Sequence, residues 1–227
     1  MTKNHLKRNV ANKSWILLRK ENKYVIKPSA GKHKIKDCVP LGYLLKNLGF
    51  VQTTKEAKKL LLLNNVLVDK KKVMEIKYPI GFMDVISVND KNLRCAFDNK
   101  GRICFIDIDE ADSNKKICKI LEKSKVKQGK TQLNLSDGRN ILVDKDEFKV
   151  GDSIVLELPS QKIIKNLSFN TGALILLTGG KHIGSTGFIE KILPKHILFK
   201  DEKGNKFPTL KKYGFVIGTN KPEFKIK

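Results

Sequence analysis

The clearest hydrophobic pattern in the chain begins at Pro40. Four apolar residues follow with the i, i+3, i+4, i+7 spacing of one helical face: Leu41, Leu44, Leu45 and Leu48. This spacing predicts a short amphipathic helix. Proline suits the beginning of a helix, and Gly49 can adopt the left-handed conformation that ends one.

The next segment predicts a second helix with a cationic face. Thr53 and Glu56 have the spacing of a capping box, which satisfies free amides at a helix N-terminus. Ala57, Leu60 and Leu61 share one side of this helix. Three lysines share the opposite side: Lys55, Lys58 and Lys59. Leu62 falls on the lysine side, where a polar residue is expected, and Asn64-Asn65 favours a turn that ends the helix.

A short hairpin is predicted directly after this helix. Val66-Leu67-Val68 and Val73 are the apolar flanks. Between them lies a polar turn that carries further lysines: Asp69, Lys70, Lys71 and Lys72. Helix and hairpin together present lysines on a scaffold that packs leucines and valines behind them. An ordinary amphipathic core helix with a solvated lysine face is the alternative interpretation.

Beyond residue 88 the pattern changes to short strands separated by turn residues. Leu93–Phe97 and Arg102–Ile106 predict one hairpin, in which Cys95 and Cys104 could face each other. Thr131–Leu135 and Arg139–Val143 predict a second hairpin around a two-residue Asp137-Gly138 turn. Strands at this spacing indicate a small barrel or sandwich.

The last part of the chain combines a buried-strand pattern with a glycine-rich loop. Residues 173–177 are apolar, and the loop that follows holds the candidate contact residues Gly179, Gly180, Lys181, His182 and Gly184. Glycine permits positive φ angles and close approach of another backbone. The loop is not a nucleotide P-loop, because histidine rather than serine or threonine follows Gly180-Lys181. It resembles the KOW motif, a strand–loop–strand RNA contact element; a barrel turn without a ligand is the alternative.

The net charge of the chain indicates what kind of partner it binds. Lysine and arginine number 46 against 23 acidic residues, a formal net charge of +23, and residues 1–36 alone carry +10. Such an excess implies an anionic partner. Nucleic acid is favoured over a membrane, because no apolar run approaches the roughly 20 residues of a spanning helix, and no signal peptide is recognisable.

The basic arm is expected to be disordered alone and to become ordered against phosphate. Lys7, Arg8 and His33 are its candidate contacts. For His33, a surface or capping role is the alternative. Trp15 could stack on a base or anchor the arm, and the apolar neighbours that follow it favour anchoring.

The cysteines and acidic residues do not predict a metal or cofactor site. Cys38, Cys95, Cys104 and Cys118 form no C-x-x-C pair, so reduced thiols are expected and zinc is not. Residues 107–112 form an acidic cluster without the glycine and ligand spacing of a calcium loop, which favours a solvated loop. We therefore predict no cofactor and no metal.

Residues 39–88 resemble the small alpha-L RNA-binding module first described in bacterial ribosomal protein four. The matching residues are Thr53-x-x-Glu56-Ala57-x-x-Leu60-Leu61 and Asn65-Val66-Leu67-Val68-Asp69. A glycine usually follows that aspartate, whereas Lys70 stands here. The order of parts is more specific: His5-Leu6-Lys7-Arg8, Trp15 and Gly31-x-His33 precede the module, and Gln132-Leu133-Asn134-Leu135-x-Asp137-Gly138 and Thr178-Gly179-Gly180-Lys181-His182 follow it. In this order the chain resembles small-subunit ribosomal protein four of archaea and eukaryotes, at the shorter archaeal length.

The resemblance implies an α+β, mostly β protein that is a structural constituent of the small ribosomal subunit, without enzymatic activity. It would bind ribosomal RNA and neighbouring ribosomal proteins, with no membrane and no small-molecule substrate, as a cytoplasmic, ribosome-bound protein. The expected order is a basic arm (1–38), the alpha-L module (39–88), a central β-barrel-like domain (89–171), a KOW-type, SH3-like barrel (172–218) and a tail (219–227).

Two other classes of protein remain as alternatives. An RNA-modifying enzyme, of pseudouridine synthase or methyltransferase type, could use the alpha-L module as an anchor. It would need a substantial catalytic domain, and no G-x-G-x-x-G is present. A KOW-type transcription factor would not need the basic arm. Co-sedimentation with small ribosomal subunits rather than with RNA polymerase separates these possibilities.

Overall fold

The computed structural model describes residues 4–18, 22–63, 65–126, 129–144, 146–201 and 204–224. Most of these residues lie in antiparallel β-sheets, with three short α-helices in the described part. The α+β, mostly β class predicted from the sequence is confirmed.

The N-terminal arm packs on the rest of the chain through one aromatic anchor. It holds two short paired strands, β1 (Leu6–Lys7) and β2 (Tyr24–Val25), and two 3-10 turns. Trp15 is 5% exposed, its Nε1 donates to the Cys38 carbonyl at 2.8 Å, and its ring stacks on Tyr43 at 5.6 Å. Trp15 therefore anchors the arm, as its apolar neighbours predicted, and the arm has intramolecular partners that its charge alone did not predict.

Replacing Trp15 with leucine should release the arm from the body of the protein, because the indole hydrogen bond and the stacking on Tyr43 are both lost. Amide exchange should accelerate at Arg8, which donates to the Lys23 carbonyl at 3.0 Å, and at Ser29, which donates to the Lys77 carbonyl at 2.9 Å. Hydrogen exchange measured by mass spectrometry tests this, with Val10→Ala, at a 70% exposed position of the arm, as the control. Equal exchange in both variants would contradict the anchor.

Two short helices lie where the sequence predicted them, and the second belongs to the predicted cationic unit. Strand β3 (Cys38–Pro40) leads into α1 (Leu41–Asn47), and α2 (Thr54–Leu62) follows after a turn. Gly49 has a φ of 76°, as expected of a left-handed helix end. Thr53 and Glu56 form both hydrogen bonds of the capping box, which confirms that prediction. Asn64, predicted to end α2, lies outside the described residues.

The hairpin after α2 is tighter than predicted. Strands β4 (Val66–Val68) and β5 (Lys71–Lys72) pair directly, so Lys71 and Lys72 belong to a strand rather than to a turn. The turn is Asp69-Lys70 alone, with φ angles of 50° and 60°. Positive φ at both central residues is the geometry of a type I′ turn, whose twist matches that of the flanking strands.

The sheet that begins in this hairpin continues past residue 88. After β6 (Pro79–Gly81), which pairs with β3, the strands are β7 (Val85–Val88), β8 (Lys91–Phe97) and β9 (Ile103–Asp107). They form one sheet of order β5-β4-β7-β8-β9, so the boundary expected at 88 falls inside a sheet. Cys95 lies opposite Phe105, and Cys104 opposite Ala96, so the two cysteines do not face each other.

A second five-stranded sheet forms the central part of the chain. A short helix, α3 (Glu110–Ser113), precedes the strands, whose order is β12-β11-β10-β13-β14. Their bounds are β10 (Lys115–Lys125), β11 (Thr131–Leu135), β12 (Asn140–Val143), β13 (Ser153–Glu157) and β14 (Ile163–Leu167). The β11–β12 loop spans residues 136–139 and is longer than the predicted two-residue turn. Within it Gly138, with φ 76°, donates to the Leu135 carbonyl at 3.1 Å.

A third five-stranded sheet closes the chain, in the order β18-β17-β16-β15-β19. Its strands are β15 (Leu174–Leu177), β16 (Thr186–Ile192), β17 (His196–Asp201), β18 (Lys206–Leu210) and β19 (Gly214–Gly218). Its apolar core includes Met83 from the turn between β6 and β7 and Ile117 from β10, so the modules pack against one another. The expected tail folds back: Phe224 is 5% exposed, and the Arg94 guanidinium lies 4.2 Å from its ring centre.

Candidate nucleic-acid interface

The lysines predicted on the outer face of α2 are exposed. Ala57 and Leu61 are fully buried in the core that also holds Val66 and Val68. Because the helix presents its other side to solvent, the ammonium groups point away from that core: Lys55, Lys58 and Lys59. Leu62 is 68% exposed, as its position among the lysines predicted. Helix α2 therefore offers three cations on a rigid, capped scaffold.

The β4–β5 hairpin adds cations next to α2 in the chain. Lys71 and Lys72 are exposed, and Lys70 is half-buried. Asp69, the other turn residue, is 1% exposed, so its carboxylate points inward and does not neutralise the lysines at the surface. The hairpin surface is consequently basic.

The glycines of the Thr178–Ser185 loop make intramolecular contacts. A Cβ on Gly184 would lie 2.4 Å from the Asp98 carbonyl oxygen, in the β8–β9 turn. A Cβ on Gly179 would lie 2.5 Å from the Tyr213 ring, and Gly180 lies against the same ring. These glycines permit close packing within the chain. Gly184 is buried, so the prediction that it approaches RNA is corrected; the RNA contacts predicted for the half-buried Gly179 and the exposed Gly180 stay predictions.

The two polar side chains of this loop have different environments. Lys181 is exposed and remains a candidate phosphate contact. The His182 ring stacks on Phe207 at 4.2 Å with an angle of 24° between the planes. That stacking leaves the loop with one freely presented cation, Lys181, rather than a pair.

Gly184→Val is expected to lower the melting temperature, because its side chain would clash with the Asp98 backbone and because φ is +78°. Lys181→Ala, in the same loop, should leave it nearly unchanged, since exposed substitutions cost within about 0.5 kcal/mol. Thermal unfolding of both variants checks this. A Gly184→Val protein as stable as Lys181→Ala would show that the loop does not depend on this contact.

Two arm residues predicted to contact phosphate have partners within the protein. The His33 side chain is 6% exposed and its Nε2 lies 2.8 Å from a carboxylate oxygen of the buried Asp84. Arg8 donates from Nε to the Asn22 carbonyl at 2.8 Å and also contacts the Leu18 carbonyl. His33 thus has a structural role, because burial removes it from the surface, and Arg8 orders the arm. Lys7 is exposed and stays a candidate.

A buried cluster of charged side chains joins the arm, the alpha-L module and the central sheet. It holds three aspartates, three cations and one histidine: Asp69, Asp84, Asp137, Lys32, Lys116, Arg139 and His33. The opposite charges are balanced apart from the histidine. A buried charge is tolerated only when it is paired and hydrogen-bonded. Each of the three segments therefore needs the charges of the other two in order to bury its own.

Lys116 lies at the centre of this cluster. Its side chain is fully buried, and its Nζ lies 3.1 Å from Asp69, 2.5 Å from Asp84 and 3.0 Å from Asp137. Burial alone would lower the pKa of Lys116, but the carboxylates, Asp84 foremost, raise that pKa well above its ordinary value. Burial alone would raise the pKa of Asp84, but Lys116, Lys32 and His33 hold that pKa well below its usual range. Each group therefore stays ionised.

The other cations complete the pairing from two sides. Lys32 brings the arm to within 2.7 Å of Asp69, and Arg139 of the β11–β12 hairpin lies 2.5 Å from Asp69 and 3.1 Å from Asp137. Backbone amides also donate to these carboxylates, that of Val85 to Asp69 at 3.1 Å and that of Gly81 to Asp84 at 2.9 Å. The aspartates are thus fixed in place by both charge and hydrogen bonds.

The sequence patterns did not reveal this cluster. Lys116 lies near the start of β10 in a chain with many exposed lysines, and nothing in its spacing distinguishes it from them. One signal was available in the sequence. Asp84 lies within the apolar stretch Tyr78–Ile86, which is expected to be buried, so its carboxylate is not expected to reach solvent. An isolated acid in a buried run calls for a buried cation.

Comparison with known proteins shows which family has this combination of an arm, a lysine-bearing helical module and β-sheets. The model of the ribosomal family S4e matches residues 89–163, that of the RS4NT domain residues 2–36, and that of the S4 domain residues 39–86. The small ribosomal subunit protein eS4 of Methanosphaera stadtmanae is 43% identical over 230 residues, covering 97% of this chain and 95% of the relative. The chain belongs to the S4e family of ribosomal proteins.

Other members agree with that assignment. The eS4 protein of Methanococcus aeolicus is 40% identical, covering 96% of this chain and 95% of the relative. The crystal structure of the 30S ribosomal protein S4e from Thermoplasma acidophilum superposes with a TM-score of 0.69 at 29% identity, covering 81% of this chain and 95% of that one. The resemblance to archaeal and eukaryotic ribosomal protein four is confirmed. Within the described residues, no helix has the length and apolarity to cross a bilayer.

Proposed function

We propose that this S4e chain binds ribosomal RNA as a structural constituent of the small ribosomal subunit and supports its assembly and translation. The observation that carries this is the exposed lysine face of α2, held over a fully buried apolar face. Family membership identifies a structural ribosomal protein rather than an enzyme, and the alternatives of an RNA-modifying enzyme and a transcription factor have no support.

The proposed RNA contacts are phosphate contacts. Lysines neutralise phosphates and release bound counterions, which makes the affinity fall with salt. The deep groove of helical RNA is closed to side chains, so backbone and shape dominate recognition. The proposed contacts are cations of three surfaces, all of them exposed except the half-buried Lys70: Lys55, Lys58, Lys59, Lys70, Lys71 and Lys72 on the alpha-L module, Lys7 on the arm, and Lys181 on the loop after β15.

Several weak contacts on one rigid body reinforce one another. Once one module binds, the others act at a high effective concentration. The buried cluster around Lys116 supports this, because it ties the arm, module and central sheet together. The RNA helices and neighbouring proteins would be met on the cytoplasmic ribosome, with no small-molecule substrate.

Co-sedimentation of the full chain tests the function. The tagged chain should migrate with small subunits in a sucrose gradient and be absent from purified RNA polymerase. The interaction should weaken as salt rises. A chain that remains at the top of the gradient under low salt, while well folded, would contradict a ribosomal role.

A further inference from the structure

A groove of about 480 Å³ opens where all parts of the chain meet. The arm contributes Lys34, strand β8 contributes Phe97, strand β10 contributes Lys119, and the turn before β19 contributes Lys212 and Tyr213. Its volume lies within the range of small-ligand sites, roughly 300–1,000 Å³. None of the residues just named belongs to the lysine surface of α2 and its hairpin.

The walls of this groove are aromatic. Phe82 and Phe97 stack with ring centres 5.0 Å apart and an angle of 15° between their planes. Phe82 also meets the edge of Phe215, which is 3% exposed and forms the floor. Phe82, Phe97 and Tyr213 are half-buried, so part of each ring faces the groove. Aromatic rings of this kind offer flat surfaces on which a base can stack.

Tyr213 is held in place before any ligand binds. Its carbonyl accepts from the Thr178 amide at 3.0 Å and from the Thr178 hydroxyl at 3.1 Å. The buried Nζ of Lys119 donates to the carbonyls of both neighbours, Lys212 at 2.9 Å and Gly214 at 2.5 Å. The absence of a side chain at Gly179 lets the ring lie against the loop. A fixed ring loses little entropy on binding, so it is suited to act as a platform.

Cations flank these rings. The Lys212 Nζ lies over the Tyr213 ring, 5.0 Å from its centre, and both Lys212 and Lys34 are exposed. Among the residues that line the groove, three lysines stand against one acid, Asp37. A base that stacks on Tyr213 takes the place of the Lys212 ammonium group over the ring, and the displaced ammonium group can then meet the adjacent phosphate.

We propose that this groove binds one unpaired nucleotide of single-stranded RNA, with its base against Tyr213 and Phe97 and its phosphate at Lys212 and Lys34. A base inside a helix is already stacked, so the ligand must come from a loop, a bulge or an end. An acidic peptide would match the lysines but would not need the aromatic walls. The inference rests on the proposed RNA-binding function and adds a second, single-stranded mode to it.

Binding of a short oligouridylate that carries one 2-aminopurine tests the proposal with the full chain. Its fluorescence should be quenched on binding to the wild type, because stacking quenches this base. Tyr213→Leu should abolish the quenching and weaken binding about tenfold or more, the range for loss of one stacked base. Lys212→Ala should reduce the slope of log affinity against log salt by about 0.7, the value for one phosphate of a single strand. Lys200→Ala, an exposed lysine on β17, is the matched control and should change neither quantity.

The outcomes separate this site from the proposed function. Duplex RNA, titrated in parallel, should bind Tyr213→Leu as well as the wild type. If duplex RNA binds but quenching is absent, or persists in both Tyr213→Leu and Phe97→Leu, the groove proposal is wrong and RNA binding by the lysine surface stands. Tyr213-dependent binding of an aspartate-rich peptide without quenching would also overturn it. Should Tyr213→Leu not fold, the exposed Lys212→Ala decides, and an unchanged salt slope would count against the site.

Discussion

Replacing Lys116 with methionine is expected to lower the free energy of unfolding by about 3–5 kcal/mol, the cost of removing one partner of a buried ion pair. Three aspartates lie within 3.1 Å of its Nζ, and all are 2% exposed or less. Methionine fills a similar volume but leaves these carboxylates with Lys32, Arg139 and His33 as their remaining side-chain partners. For a chain of this size the melting temperature should fall by roughly 6–20 °C.

Lys115→Met is the matched control, because Lys115 is the exposed neighbour on the same strand. It should change stability by no more than about 0.5 kcal/mol. Thermal and urea unfolding of both variants measure the difference. Equal stability of the two variants would show that the cluster does not hold the modules together.

Acid should reduce the difference in stability between the wild type and Lys116→Met. The folded-state pKa values of Asp84 and Asp137 are held below their ordinary range. Their contribution to stability is therefore fully present above the unfolded pKa of about 3.9 and is lost as the pH falls through the lower folded values. The melting-temperature difference should be largest near neutral pH and narrow below about pH 4. A constant difference would argue that the effect of the substitution is one of packing.

Reversing Lys55, Lys58 and Lys59 to glutamate is expected to weaken binding to ribosomal RNA on the order of a hundredfold at about 0.1 M salt, the loss expected from several phosphate contacts. The slope of log affinity against log salt should flatten by roughly two to three units. The helix should persist, because its capping box and its buried Ala57 and Leu61 are untouched.

A second triple variant provides the comparison for charge alone. Lys162, Lys191 and Lys200 are exposed lysines outside the alpha-L module, and their reversal changes the net charge equally. It should affect the affinity much less, since it acts only through the overall field. Filter binding with both variants across a salt series makes the test. Equal losses in the two would mean that the α2 lysines contribute only general charge.

The sequence predicted those parts of the structure that local chemistry determines. The capping box of Thr53 and Glu56, the left-handed Gly49 and the exposed Leu62 follow from spacing along one helix, and each is present. The hairpins of the β-rich part were recognisable for the same reason. Turn lengths were less predictable: Asp69-Lys70 forms a two-residue turn without glycine, which a search for Asp-Gly does not detect.

The parts that depend on distant residues were not predictable from pattern. Lys116 reads as one more surface lysine until Asp69, Asp84 and Asp137 surround it. Gly184 reads as a ligand-facing glycine until the Asp98 carbonyl is found where its side chain would lie. His33 reads as a phosphate contact until Asp84 is placed beneath it. In each case at least one partner belongs to another module, and spacing along the chain carries no information about it.

The buried cluster also determines when, during synthesis of the chain, the arm can reach its final position. Lys32 leaves the synthesising ribosome long before Arg139, the last member of the cluster to be made. At the usual speed of synthesis this interval lasts roughly 5–20 s. Throughout it, the nascent arm is a polycation whose inner partners are incomplete, beside a large excess of ribosomal and messenger RNA. The ion pairs that hold the arm in place are therefore complete only when the β11–β12 hairpin has closed.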